Sequence, residues 1–424
     1  MGRVFLNRLS ERGTKVSYQF GATVIPSHVC RQTMIRFRGL AHFLICLGAA
    51  SALNAQPGGT GHAPLLPQML IDEIRPTAAY PRNSEGAFLG LRDGRIMFAY
   101  SRFTGGGGDD DAAEIAARTS ADEGRSWSKD SLLVARGTAV NVMSVSFLRL
   151  RDGRIAMFYL RKSTKTDSRP YVTFSSDEAK TWTEARPCID QPGYYVLNND
   201  RVIQLRSGRI LMPVALHTGP DGKFNSRGKV MVYLSDDEGV SWRRSRNVLE
   251  FPGASRGGLQ EPGVVELKSG RVLMFMRTMT GVQYLSESRD GGLSWSPARP
   301  SRIWSPLSPA SMKRIPTTGD LLMVWNDHSH VDPSLRATEQ GSHVMGGKRT
   351  PLTAAISRNE GKSWILRHDI EDAPDGWYCY TAIYFDRDRV LLGFSSGGRG
   401  LPLLSKLDLV SFPISALYAK PAGK

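Results

Sequence analysis

The sequence predicts an all-β protein, a six-bladed β-propeller of antiparallel meanders, and three observations carry the prediction. An octet, S-x-D-x-G-x-[ST]-W, recurs along the chain. A second pattern, two short apolar runs joined by an Asp/Ser-Gly-Arg turn, recurs six times. No stretch makes a convincing helical domain: the nearest candidate, residues 109–118, runs directly into an octet and favours a strand.

Three octets are intact, SADEGRSW at 120–127, SDDEGVSW at 235–242 and SRDGGLSW at 288–295. Two are degenerate: SSDEAKTW at 175–182 has Ala179 for the glycine, and SRNEGKSW at 357–364 has Asn359 for the aspartate. Five of the eight tryptophans stand in these octets. The pattern reads as a hairpin turn, because a carboxylate can accept backbone N–H groups, glycine tolerates positive φ and the indole can bury against a neighbouring unit. Spacings of 53 to 69 residues give room for one four-stranded unit each.

The second pattern appears as AFLGLRDGRIMFAYSR from Ala87, VSFLRLRDGRIAMFYLR from Val145, VIQLRSGRILMPVAL from Val202 and VVELKSGRVLMFMR from Val264. Weaker copies start at Ser311 and Ile383. Each reads as the inner hairpin of a blade, so six copies imply six blades around a funnel. A first strand near 65–74 and a last near 404–416 are expected to pair and close the ring.

Residues 1–55 stand apart. An apolar run over 40–52 follows Arg36 and Arg38 and ends in small residues, a signal-peptide pattern with Met34 as an alternative start. The run is shorter than the roughly 18 to 20 residues that span a bilayer. The expected division is a leader over 1–55, a linker over 56–64 and a propeller over 65–420, secreted or periplasmic, with no membrane span after cleavage. Cleavage after Ala52 or after Ala55 suits the pattern equally.

The chain has 424 residues, 41% hydrophobic and 22% charged, which excludes disordered, collagenous and coiled-coil classes. Its formal charge is +15, of which residues 1–55 supply +6, with seven basic residues and one acidic. The remaining +9 forms no clustered stripe, so no nucleic-acid partner is expected. Of Cys30, Cys46, Cys188 and Cys379 only the last two would survive processing; they are either two buried thiols or one bridge. Neither Cys nor His shows metal-ligand spacing, and neither a catalytic metal nor a cofactor is expected.

In its octets and hairpins the chain resembles the sialidase (neuraminidase) family of exo-glycosidases, six-bladed propellers in which the octet is called the Asp box. The resemblance covers roughly residues 65–420 and implies a glycan with a terminal anionic sugar as partner. The run Gln260-Glu261-Pro262-Gly263-Val264-Val265-Glu266-Leu267, leading to Met276-Arg277, matches the family's glutamate motif. It implies Glu261 as general base and Arg277 as one of three arginines holding the substrate carboxylate. Arg349, upstream of the last Asp box, is implied as another. Tyr380, in Cys379-Tyr380-Thr381-Ala382, stands where the family's nucleophile stands but lacks the usual serine neighbour. The family's acid lies in a loop upstream of the first Asp box, which here offers Asp109, Asp110 and Asp111; position favours Asp109, then Asp110. The R-I-P signature of the first arginine is absent, and Arg82 stands nearby, about two residues early. Arg102, Asn199 and Arg201 are further candidate substrate contacts, and Asn198, Asp200, Glu85 and Asn141 occupy similar places. His217 ends a strand near the axis.

The residue types suit the chemistry. A sialic acid carries a carboxylate on its anomeric carbon, so a neutral phenol avoids the repulsion an anionic nucleophile would meet. Glu261 would take the phenol's proton, Asp109 would protonate the leaving oxygen and later activate water, and the arginines would fix the carboxylate through forked hydrogen bonds. Two other readings share the scaffold: a non-catalytic carbohydrate-binding propeller, and a polysaccharide lyase.

Overall fold

A computed structural model describes residues 63, 65–331 and 347–420. The leader and cleavage site expected over 1–55 lie outside the described residues. Among those described, the chain is almost entirely strand and turn, with one short 3-10 helix at Ile414–Tyr418. The segment considered for a helix at 109–118 instead enters the strand Ala113–Ser120.

Six antiparallel meanders follow one another. Their innermost strands are Arg82–Gly90, Asn141–Arg149, the short pair Tyr195–Val196 and Ile203–Gln204, Gln260–Glu266, Ser311–Arg314 and Gly376–Asp386. The hydrogen bonds group them into five sheets, because one parallel bridge, Ala113 to Asn141, links the first two meanders. In the sixth blade the outermost strand is Met69–Ile74, antiparallel to Leu401–Pro413, so the ring closes as the sequence predicts.

Packing follows the same count. Six apolar clusters fill the seams between neighbouring blades: Ala87, Val145 and Met157 lie between the first and second, for example, and Phe98, Leu391 and Leu409 between the sixth and first. Each octet tryptophan enters the seam with the preceding blade. Trp242 of the third blade meets Phe158 of the second edge-on at 5.9 Å, and Trp127 of the first lies against the cluster shared with the sixth. The octet is thus both a turn and a wedge.

Within each octet the aspartate closes the turn. Asp122 Oδ1 accepts from Ser126 N at 2.9 Å, Asp237 and Asp290 do the same with Ser241 and Ser294, and Asn359 reproduces the bond through its amide oxygen. Every octet joins the third strand of a blade to the fourth. The sixth blade has none because its third and fourth strands come from opposite ends of the chain and need no connection.

Candidate active site

Five blades share a backbone irregularity on or beside the inner strand. Glu85, Ser144, Asp200, Glu261 and Tyr380 have left-handed backbones, with φ of 56, 61, 57, 43 and 54°. In four of these strands the pairing register slips at the same place, a β-bulge. A left-handed conformation in a residue with a Cβ costs about 1–3 kcal/mol, and such strain gathers where a fold presents functional groups.

Two of these residues meet. Tyr380 Oη donates to Glu261 Oε1 at 3.1 Å, and Arg277 Nη1 lies 2.7 Å from Glu261 Oε2. Burial alone would raise the Glu261 carboxyl, but Arg277, then Arg349 and the phenol, outweigh it and hold it below the usual range. Burial, with Glu261 adding to it, pushes the Tyr380 phenol up, so the pair rests as phenol and carboxylate. Arg349 lies over the Tyr380 ring at 5.5 Å and donates to Cys379 Sγ at 2.8 Å. Cys379 and Cys188 are both buried free thiols, which resolves the choice left open by the sequence.

A cavity of about 330 Å³ is lined by Glu261, Tyr380, Arg277 and Arg349 together with Asp109 and Glu85. Arg82 stands behind the last two: its Nη1 lies 2.6 Å from Asp109 Oδ1 and its Nη2 3.5 Å from Glu85 Oε1. Although burial opposes it, Arg82, with Lys162 and Arg277 assisting, holds the Asp109 carboxyl low. Asp110 faces outward and pairs with Lys162 Nζ at 2.9 Å. Asp111 accepts from Gly108 N and shapes the loop.

Three residues expected to touch substrate are placed elsewhere. Arg102 pairs with Glu114 and Asp130 and covers the Tyr80 ring, outside the cavity. Asn199 donates to Gly86 O at 2.7 Å and Tyr380 O at 3.0 Å, tying three blades together. Arg201 donates to Ala310 O at 2.6 Å under the Phe275 ring, and burial brings its guanidinium down to about 10. Asn199 Nδ2 and both Arg201 Nη atoms are spent on the scaffold. Of the run 198–201, Asn198 lines the cavity, and its buried Nδ2 has no partner.

Sequence reasoning missed Lys162. It is 2% exposed, lines the cavity and donates to Asp109 O as well as to Asp110, while Asn141 donates to Asp109 O and Asp111 O. A lysine closing the apolar strand Ile155–Lys162 at its mouth end was the available signal. The far wall is aromatic. His217 lies parallel to Phe224 at 5.5 Å, Tyr194 stands edge-on to both, and His217 Nδ1 is fixed by Asn225 O at 2.9 Å.

Fold and site together define a BNR-type β-propeller that carries a phenol–carboxylate pair and a set of guanidinium groups in one cavity. The chain belongs to the BNR repeat-like domain family, which it matches over residues 83–392. It is 27% identical to a sialidase of Micromonospora viridifaciens over 295 residues, 62% of this chain and 44% of that one, and so spans less than half the length of that relative. Among solved structures it resembles a Dyadobacter fermentans protein of unknown function (TM-score 0.63, 17% identity, 82% of this chain and 99% of the other). It likewise resembles the leech intramolecular trans-sialidase (TM-score 0.63, 14% identity, 82% and 70%).

Proposed function

We propose that the protein is a secreted, retaining exo-glycosidase that removes a terminal sialic acid, or a related anionic sugar, from glycans. The observation that carries this reading is the 3.1 Å hydrogen bond from Tyr380 to Glu261, in a cavity that Arg277 and Arg349 also line.

An incoming carboxylate is held by Arg277 and Arg349, which line the cavity, and attracts Arg82 from behind Asp109. Arg349 gives up only a thiol contact for it, a weak acceptor. When the carboxylate draws on Arg82, the cation that keeps Asp109 ionised is shared. Asp109 then takes up a proton more readily and can pass it to the departing glycosidic oxygen. As positive charge grows at the anomeric carbon, the phenolic oxygen of Tyr380 attacks it and Glu261 Oε1 receives the phenol's proton. Water then attacks the glycosyl–tyrosine bond, Asp109 takes the water's proton and the phenol recovers its own from Glu261. Two inversions give net retention.

Purified protein is expected to hydrolyse a fluorogenic sialoside, with retained configuration in the first-formed product by NMR. Tyr380→Phe should lower kcat on the order of 10³-fold or more. Undiminished turnover by that variant, or inverted product, would reject the mechanism.

A further inference from the structure

Among the five left-handed inner residues, one carboxylate has neither a part in this chemistry nor a full set of partners. Glu261 and Tyr380 form the reacting pair. Asp200 is a saturated strut, with Lys313 Nζ at 2.7 Å on one oxygen and Ile383 N at 2.9 Å on the other. Glu85 is neither. Its residue is 4% exposed and lines the cavity. Oε2 accepts from Ser144 Oγ at 2.9 Å, but Oε1 has only Arg82 Nη2, at 3.5 Å, and that guanidinium makes its short contact with Asp109. The charged groups facing Glu85 are Arg82 on its own strand, Asp109 on the neighbouring loop and Glu261 on the fourth blade.

A buried carboxylate oxygen with one long contact is costly, and the fold adds to that cost by holding Glu85 in a left-handed conformation. A structural role needs no such unfilled oxygen: Asp200, equally left-handed, has a close donor on each of its oxygens. Desolvation, opposed by Arg82, leaves the carboxyl pushed up to about 7. A hydrogen-bond donor arriving in the cavity would complete its shell, and on a sugar that donor is a hydroxyl.

We propose that Glu85 is a specificity-determining residue that touches the substrate, accepting a hydrogen bond from one hydroxyl of the anionic sugar. The proposal rests on the reading of this cavity as an anionic-sugar site. A site built to bind one hydroxyl rejects the analogue that lacks it, because its own polar group is then left unpaired.

The test compares wild type, Glu85→Gln and Glu85→Ala on a fluorogenic sialoside and its 4-, 7-, 8- and 9-deoxy derivatives. Wild type should prefer the parent over one derivative by about 10- to 100-fold in kcat/KM, the range of a charge-assisted hydrogen bond. In Glu85→Ala that ratio should fall to within about twofold of one, with the other ratios unmoved, and Glu85→Gln should lie between. Unchanged ratios in both folded variants would overturn the proposal. Should wild type hydrolyse none of these compounds, the sialidase reading fails separately, and binding of free sialic acid and glucuronic acid by calorimetry decides for Glu85. Binding about tenfold weaker in Glu85→Gln supports the role; equal affinity, or no binding by wild type, overturns it.

Discussion

Replacing Arg277 by Met would strand the Glu261 carboxylate. The two side chains are 12% and 11% exposed and sit 2.7 Å apart, so the pair is nearly dry. Removing one partner of such a pair costs about 3–5 kcal/mol, because the remaining charge stays buried without compensation. Taking about 2 cal/mol/K of unfolding entropy per residue over a propeller of this size, the melting temperature should fall by roughly 4–7 °C at pH 7. The effect carries a pH signature. In wild type the Glu261 carboxyl lies low, so its contribution is present at neutral pH and lost as pH falls through its folded pKa. Without Arg277, burial dominates and raises that carboxyl, so the variant recovers relative stability as Glu261 takes up a proton. Thermal denaturation followed by circular dichroism from pH 8 down to about pH 4 should therefore show the two proteins converging. Arg277→Met/Glu261→Gln, which removes the stranded charge, should regain most of the loss at neutral pH. A deficit that is independent of pH, or no rescue in the double variant, would refute the reasoning.

Asp109→Asn should lower kcat by about 10²- to 10⁴-fold on glycosides with natural sugar leaving groups and far less on an activated phenol, which needs no protonation. In the octets, Asp290→Asn should melt close to wild type, since Asn359 already makes the equivalent 2.9 Å bond; Asp290→Ala should cost about 1–2 kcal/mol by denaturant titration. Glu85→Gln should stabilise the protein at pH 8 and leave it unchanged near pH 4. The raised carboxyl makes the folded state bind more protons than the unfolded state between pH 4 and 7, so wild type loses on the order of 3 kcal/mol on crossing that window and the amide does not.

Much of the scaffold was legible because it is written in local turn chemistry. The octet aspartates and the glycines at 94, 153, 208 and 270, all at positive φ, fix hairpins within a few residues and need no tertiary information. The cavity was legible where the chain resembles the sialidase motifs: Glu261 and Arg277 through the run from Gln260, Arg349 through its place before the last Asp box and Tyr380 through its place at the start of the last blade. It was illegible where direction mattered. Neighbouring residues in the turn between two short strands point opposite ways, so Asn198 reaches the cavity while Asn199 and Arg201 turn into the scaffold. The same difficulty sent Arg102 to Glu114, whereas Glu85, named among the lesser candidates, does line the cavity. Lys162 escaped because a basic residue at the end of an apolar run ordinarily reads as a solvated strand terminus.

The closing of the sixth blade by the strand at Met69–Ile74 gives the propeller neighbouring entry and exit points, with Met69 opposite Ser411. A wheel fastened in this way behaves as a cassette. It can be spliced between other modules, or cut at a surface turn and rejoined at its seam, without altering the order of its blades. The pull of any tethered segment then falls on the one sheet that also carries Tyr380, which makes the clasp and the reacting phenol mechanically one piece.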